Sequence, residues 1–78
     1  MPQALIVGAG DGFSASFARL LGREGYAVAL AARNVAKLAT LAGETRATTH
    51  ACDASDPAQV AALFAAPEAA EAEVVLYN

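Results

Sequence analysis

The sequence predicts an α/β fold: a parallel sheet between two layers of helices, built in the order β-α-β-α-β-α-β. Three observations carry that expectation. A continuous apolar run from Ala4 to Ala9 reads as a strand covered on both faces. It passes directly into a glycine-rich turn, Gly8-Ala9-Gly10-Asp11-Gly12, after which the apolar spacing becomes that of a helix. The same exchange of short apolar run for helical stretch then recurs along the chain. Right-handed crossovers place the strands in the order 3-2-1-4.

Each element has its own signals. After Gly12, residues Phe13, Phe17, Leu20 and Leu21 share one helical face, and Gly25 stands just past Arg23-Glu24, where that helix should end. Tyr26 to Ala32 is the second strand. Asn34 caps a second helix, with Val35, Leu38, Leu41 and Ala42 on one face and Gly43 closing it. Thr45 to Ala51 is β-branched but partly polar, as expected of an edge strand. Asp53, Ser55 and Asp56 form a turn, and Pro57 suits the first turn of a third helix with Val60, Leu63 and Phe64 on its apolar face. Pro67 interrupts that helix. Val74 to Tyr77 forms the fourth strand, before Asn78.

Composition narrows the function classes. With 78 residues, the chain is one small domain or part of a larger one. Its apolar fraction is 56%, but much of that is alanine, which buries little area per residue. The formal charge is −3 with acids and bases interspersed, which argues against a nucleic-acid surface. A single cysteine, Cys52, excludes an internal disulfide and fits a reducing compartment. No signal segment or membrane span is evident, so a cytoplasmic protein is expected. No metal-ligand spacing or Ser/His/Asp set occurs. His50 is read as structural or exposed, and Cys52 as buried packing.

The chemistry lies at the turns. A strand running into glycines and then a helix builds a phosphate cradle. The glycines let the backbone approach an anion, and the helix start presents free N–H groups and partial positive charge. In such a sheet the end of the second strand, here Ala31-Ala32-Arg33-Asn34, reads the adenosine ribose.

With these residues the chain resembles the short-chain dehydrogenases/reductases over essentially its whole length. Their glycine motif is Thr-Gly-x-x-x-Gly-x-Gly. Gly8 and Gly12 match it, Val7 replaces the threonine, and Ser14 replaces the last glycine. The resemblance implies a Rossmann-like three-layer fold and a nicotinamide dinucleotide. It assigns the pyrophosphate to Gly8, Gly10, Asp11, Gly12, Phe13 and Ser14, whose hydroxyl is small enough for close packing and able to donate to phosphate.

Members that use NAD usually carry an acid at the position of Ala32. Alanine there removes the repulsion of a 2′-phosphate, and Arg33 supplies a charged planar fork. Asn34 and Lys37 lie beside it, and NADP(H) is expected in preference to NAD(H). Asp11 departs from the pattern, since NADP-type members often carry a base before the middle glycine.

Cys52-Asp53-Ala54-Ser55-Asp56 resembles the family's Asp-Val-Thr-Asp segment, which would set Asp53 and Ala54 against adenine. The same stretch also reads as a helix-capping turn. Tyr77-Asn78 aligns with the start of Asn-Asn-Ala-Gly, with Asn78 on the second asparagine.

The family's catalytic Tyr-x-x-x-Lys does not occur in these residues. The expectation is therefore that residues 1–78 form a single partial domain, a dinucleotide-binding segment inactive alone. The rest of the parent fold would supply the acid and substrate pocket, and the parent is expected to be a homo-oligomer. The alternative is a free-standing nucleotide-binding or sensor module whose edge strand pairs with a partner.

Overall fold

A computed structural model describes residues 1–9 and 12–78. Gly10 and Asp11, both assigned above to the pyrophosphate turn, lie outside the described residues. The strands are β1 (Gln3–Val7), β2 (Ala27–Ala32), β3 (Thr48–Ala51) and β4 (Ala72–Tyr77). They form one parallel sheet in the order β3-β2-β1-β4, as the crossover rule requires. The helices are α1 (Phe13–Arg23), α2 (Ala39–Thr45), α3 (Pro57–Ala65) and α4 (Pro67–Ala70), with a 3-10 turn at Val35–Leu38 leading into α2.

Strand alternation builds the three layers. On one face Ala4, Ile6, Val28 and Leu30 pack against Ala18 and Leu21 of α1 and against Leu38 and Leu41. On the other, Leu5, Val7, Ala29 and Ala31 meet Cys52, Leu63 of α3 and Ala69 of α4. β1 and β2 are thus covered on both sides, which is why their sequences are apolar without alternation.

Several helix details differ from the sequence reading. The face of α1 that meets the sheet is Ser14, Ala15, Ala18 and Leu21, while Phe13 and Leu20 are exposed. Small residues let the helix lie close to the strands. Phe13 and Leu20 turn outward, and Phe17, half-buried against the core, stacks with Phe13 at a ring-centroid distance of 6.0 Å. Gly43 lies inside α2 rather than ending it. The helix runs to Thr45, and Arg46 takes the left-handed position (φ 57°) that was expected of glycine. Consequently the third strand starts at Thr48, not Thr45. In α3 only Leu63 is buried, Val60 is half-buried and Phe64 is exposed, because α4 shares the cover of that face. Pro67 does separate the two helices, and Gly25 (φ 89°) does follow α1.

β3 and β4 are the sheet's edges among the described residues. Along β4 the side chains alternate between half-buried and exposed, leaving Val75 and Tyr77 in solvent. Unpaired backbone on an apolar edge is a template for another strand. The isolated 78-residue chain should therefore self-associate at micromolar concentration, and Val75→Lys should reduce that association. Analytical ultracentrifugation checks this. A monomer with a cooperative melt would contradict it.

Candidate functional site

A cleft of about 340 Å³ opens at the carboxyl ends of β1, β2 and β3. Three loops wall it. Gly8 and Ala9 follow β1, Ala32 to Asn34 end β2 with Lys37 one turn on, and Cys52 to Ala54 follow β3. Of the residues singled out in the sequence, the structure brings together Gly8, Ala32, Arg33, Asn34, Lys37, Asp53 and Ala54 at this cleft. Gly12 and Phe13 are exposed at the start of α1. Ser14 is fully buried, and its Oγ accepts a hydrogen bond from Asn78 Nδ2. Its place in the structure is therefore in the packing between α1 and the sheet end, away from the cleft.

The turn after β1 needs glycine at both of its described ends. Gly8 has φ 79°, and a Cβ there would lie 2.7 Å from the Asn78 carbonyl oxygen. Its N–H and that of Ala9 both donate to the Ala31 carbonyl, at 2.8 and 2.9 Å, tying the turn to β2. Gly12 is the residue before α1, with φ 70° and ψ −125°, a region open essentially to glycine alone. A Cβ on Gly12 would meet no heavy atom of the described residues within 4 Å, so those residues leave the space before it open. Among the described residues no side chain caps α1, and its first turn carries no acid. Those free N–H groups and the open space in front of Gly12 fit a pyrophosphate.

The β2 side of the cleft carries positive charge. Arg33 and Lys37 are exposed at the cleft, and neither forms a salt bridge among the described residues. Asn34 Oδ1 accepts from the Ala36 N–H at 3.1 Å, capping the 3-10 turn and fixing where Lys37 leaves the backbone. This is the capping role that the sequence predicts for it.

The third wall is held by a hydrogen-bond network. Asp53 Oδ1 accepts from Ser55 Oγ–H (2.7 Å) and Ser55 N–H (2.9 Å). The Asp53 N–H donates to Gln59 Oε1 at 2.8 Å, and Gln59 Nε2 donates to Asp56 Oδ2 at 3.1 Å. Asp56 Oδ1 caps α3 through the Ala58 N–H at 3.0 Å. Loop and cap thus coexist, Asp53 facing the cleft and Asp56 serving the helix. Gln59 escaped the sequence reading, since nothing in its local pattern distinguishes a loop clamp from a solvated helix residue.

The Ser55 bonds, with Arg33 nearby, hold the Asp53 carboxyl below the usual aspartate range. A depressed native pKa means that the network's contribution is present above the unfolded aspartate value. It is lost as pH falls through the lower native one. Hydrogen exchange at the Ser55 amide should therefore stay slow through mildly acidic pH and accelerate only below the usual aspartate range. Acceleration already at pH 5 would contradict this assignment.

Cys52 is buried under the loop, and burial with Asp53 and Asp56 nearby pushes its thiol up, the opposite of an activated nucleophile. His50 has partners that the sequence did not reveal, Thr48 Oγ1 at 3.0 Å and Glu68 Oε1 at 3.9 Å, and does not line the cleft. Among the described residues no cluster of His, Cys, Asp and Glu could hold a metal ion, and no helix is long and apolar enough to cross a membrane.

Comparison with known proteins follows the same geometry. The family model for short chain dehydrogenase matches residues 2–75. The chain superposes on a metagenomic short-chain oxidoreductase in complex with NADP with a TM-score of 0.82 and 37% identity, over 94% of this chain and 37% of that one. It superposes on a short-chain dehydrogenase from Rhodopseudomonas palustris with a TM-score of 0.80 and 28% identity, over 99% of this chain and 39% of that one. The chain thus spans well under half the length of either structure. A comparison with curated proteins finds no match.

Proposed function

The chain belongs to the short-chain dehydrogenase family, and from that premise we propose that residues 1–78 form the dinucleotide-binding segment of an NADP(H)-dependent oxidoreductase. The observation that supports this reading most is the joining of an α1 start that no described side chain caps, behind a Gly12 with no described heavy atom before it, to a cleft that presents Arg33 and Lys37 and no acid at position 32. In this reading the α1 N–H groups and the Gly8 to Gly12 turn hold the pyrophosphate. Arg33 grips the 2′-phosphate with Lys37 adding charge, and Ala32 leaves room for it. Asp53 and Ala54 border the adenine. Asn78 borders the cofactor from the end of β4.

A bound nicotinamide dinucleotide supplies the hydride that passes between cofactor and a carbonyl or alcohol. This chain's residues contribute binding and orientation, and none of them is assigned to proton transfer. Tyr26 has Leu30 four residues on, so it does not supply the family's Tyr-x-x-x-Lys pair. The purified 78-residue chain should accordingly bind NADPH but turn over no carbonyl substrate with it. Fluorescence titration with NADPH, followed by a spectrophotometric assay of NADPH consumption against a panel of ketones and aldehydes, tests both halves. Saturable consumption would contradict the division of labour. Absence of binding would contradict the site.

A further inference from the structure

We infer that a groove at the amino ends of the strands, opposite the dinucleotide cleft, is a second ligand site that takes a small monocarboxylate with an apolar tail. The groove encloses about 780 Å³, within the range of small-molecule pockets. It lies where α1 and α2 end and β2 begins, and Gly22, Arg23, Tyr26, Ala27, Thr45 and Arg46 line it. The two helices meet at its back. A Cβ on Gly22 would stand 3.7 Å from Thr45 Cβ, an ordinary van der Waals contact. Tyr26 and Ala27 are half-buried, and Tyr26 packs against the core. With the arginine stems they give the groove a largely apolar wall, suited to an apolar tail.

Charge selects the head group. Glu44 is the acid in the lining, and Arg19 Nε holds it at 2.7 Å, so those two charges offset each other. Arg23 and Arg46 are exposed, and neither forms a salt bridge among the described residues. Each stands at the end of a helix, whose last carbonyls carry roughly half a negative charge. Two arginines against two helix ends leave about one positive charge, which suits a single carboxylate. A dinucleotide brings several negative charges and no apolar tail, so it does not fit here. Arg46 also holds a left-handed backbone (φ 57°) that favours glycine, so a position open to an easier helix end carries a guanidinium at the groove instead. None of this rests on the dinucleotide reading above.

The test uses the isotope-labelled 78-residue chain carrying Val75→Lys, titrated with decanoate below its micelle concentration. Saturable amide shifts are expected at Gly22, Arg23, Ala27, Thr45 and Arg46, with none at Arg33 or Asp53 in the cleft. Hexanoate should bind at least tenfold more weakly, because each buried CH₂ is worth about fourfold. Decanol and inorganic phosphate each lack one half of the ligand, and both should also bind at least tenfold more weakly.

Arg46→Gly is the decisive variant. It should weaken decanoate about tenfold while the melting temperature stays the same or rises, since glycine adopts that backbone freely. Arg23→Gln should weaken decanoate to a similar extent. Decanol that binds as tightly as decanoate, an Arg46→Gly chain with unchanged affinity, or shifts that spread to Ile6 and Leu30 in the sheet interior would overturn the site. A glutamate-rich peptide that binds the same amides more tightly than decanoate would overturn the ligand class and make the groove a protein-docking surface.

Discussion

Replacing Arg33 with alanine should erase a preference for NADPH over NADH of roughly ten- to hundredfold, the worth of a charge-assisted hydrogen bond of about 1.5–3 kcal/mol. The guanidinium is exposed at the cleft and has no salt-bridge partner among the described residues, so its removal leaves the core intact. Adding Ala32→Asp to Arg33→Ala should reverse the preference. A carboxylate at the end of β2 accepts from the ribose hydroxyls and repels a 2′-phosphate. Lys37 remains nearby and should keep the reversal smaller than the original preference. The ratio of dissociation constants from NMR titrations of each variant gives the result, even where absolute affinities are weak. Equal affinities for the two cofactors in the unaltered chain would contradict the role of Arg33.

Gly12→Val should abolish nucleotide binding. Two costs combine at this position. The backbone sits at φ 70° and ψ −125°, where any side chain costs about 1–3 kcal/mol. The branched side chain would also project into the open space where a pyrophosphate is proposed to lie. Gly12→Ala carries the same backbone strain with much less bulk, so the difference between the two variants reports occupancy of that space. Thermal melting separates loss of binding from loss of fold. Near-normal NADPH affinity in folded Gly12→Val would make the turn a plain connector.

Most of the architecture was legible because it is locally encoded. The strand-to-helix change of period at Gly8 to Gly12, the punctuation at Gly25 and Pro67, and the caps at Asn34 and Asp56 all act within a few residues. The order 3-2-1-4 then follows from crossover handedness, not from any further signal. What escaped was decided at longer range. The apolar stripe of α1 is wide, and only contact with the sheet selects the Ser14, Ala15, Ala18 and Leu21 half over Phe13 and Leu20. Gly43 looked like a stop, but hydrogen bonding continued the helix to Thr45 and placed Arg46 at the left-handed end.

At the site the residue types were readable and their support was not. Arg33 and Asp53 announce themselves by position after a strand. The bonds that fix their surroundings, Gln59 to Asp53 and Asn78 to Ser14, join side chains whose separation carries no periodic signature. The departure of Ser14 from the glycine motif was visible. Its hydrogen-bond partner at position 78 required the folded sheet, because the contact exists only once β4 lies beside β1.

The central claim is that the cleft at the strand ends holds a nicotinamide dinucleotide phosphate. Titrating the isotope-labelled chain, carrying Val75→Lys to suppress pairing at the β4 edge, with NADPH while following every backbone amide tests it most directly, since chemical shifts locate even weak binding. The account predicts saturable shifts at Gly8, Ala9, Gly12, Phe13, Arg33, Asp53 and Ala54, smaller shifts at the same amides with NADH, and none at Tyr26 or Arg46 at the opposite end of the sheet. Shifts confined to the far end, or no saturable shifts at all, would contradict it.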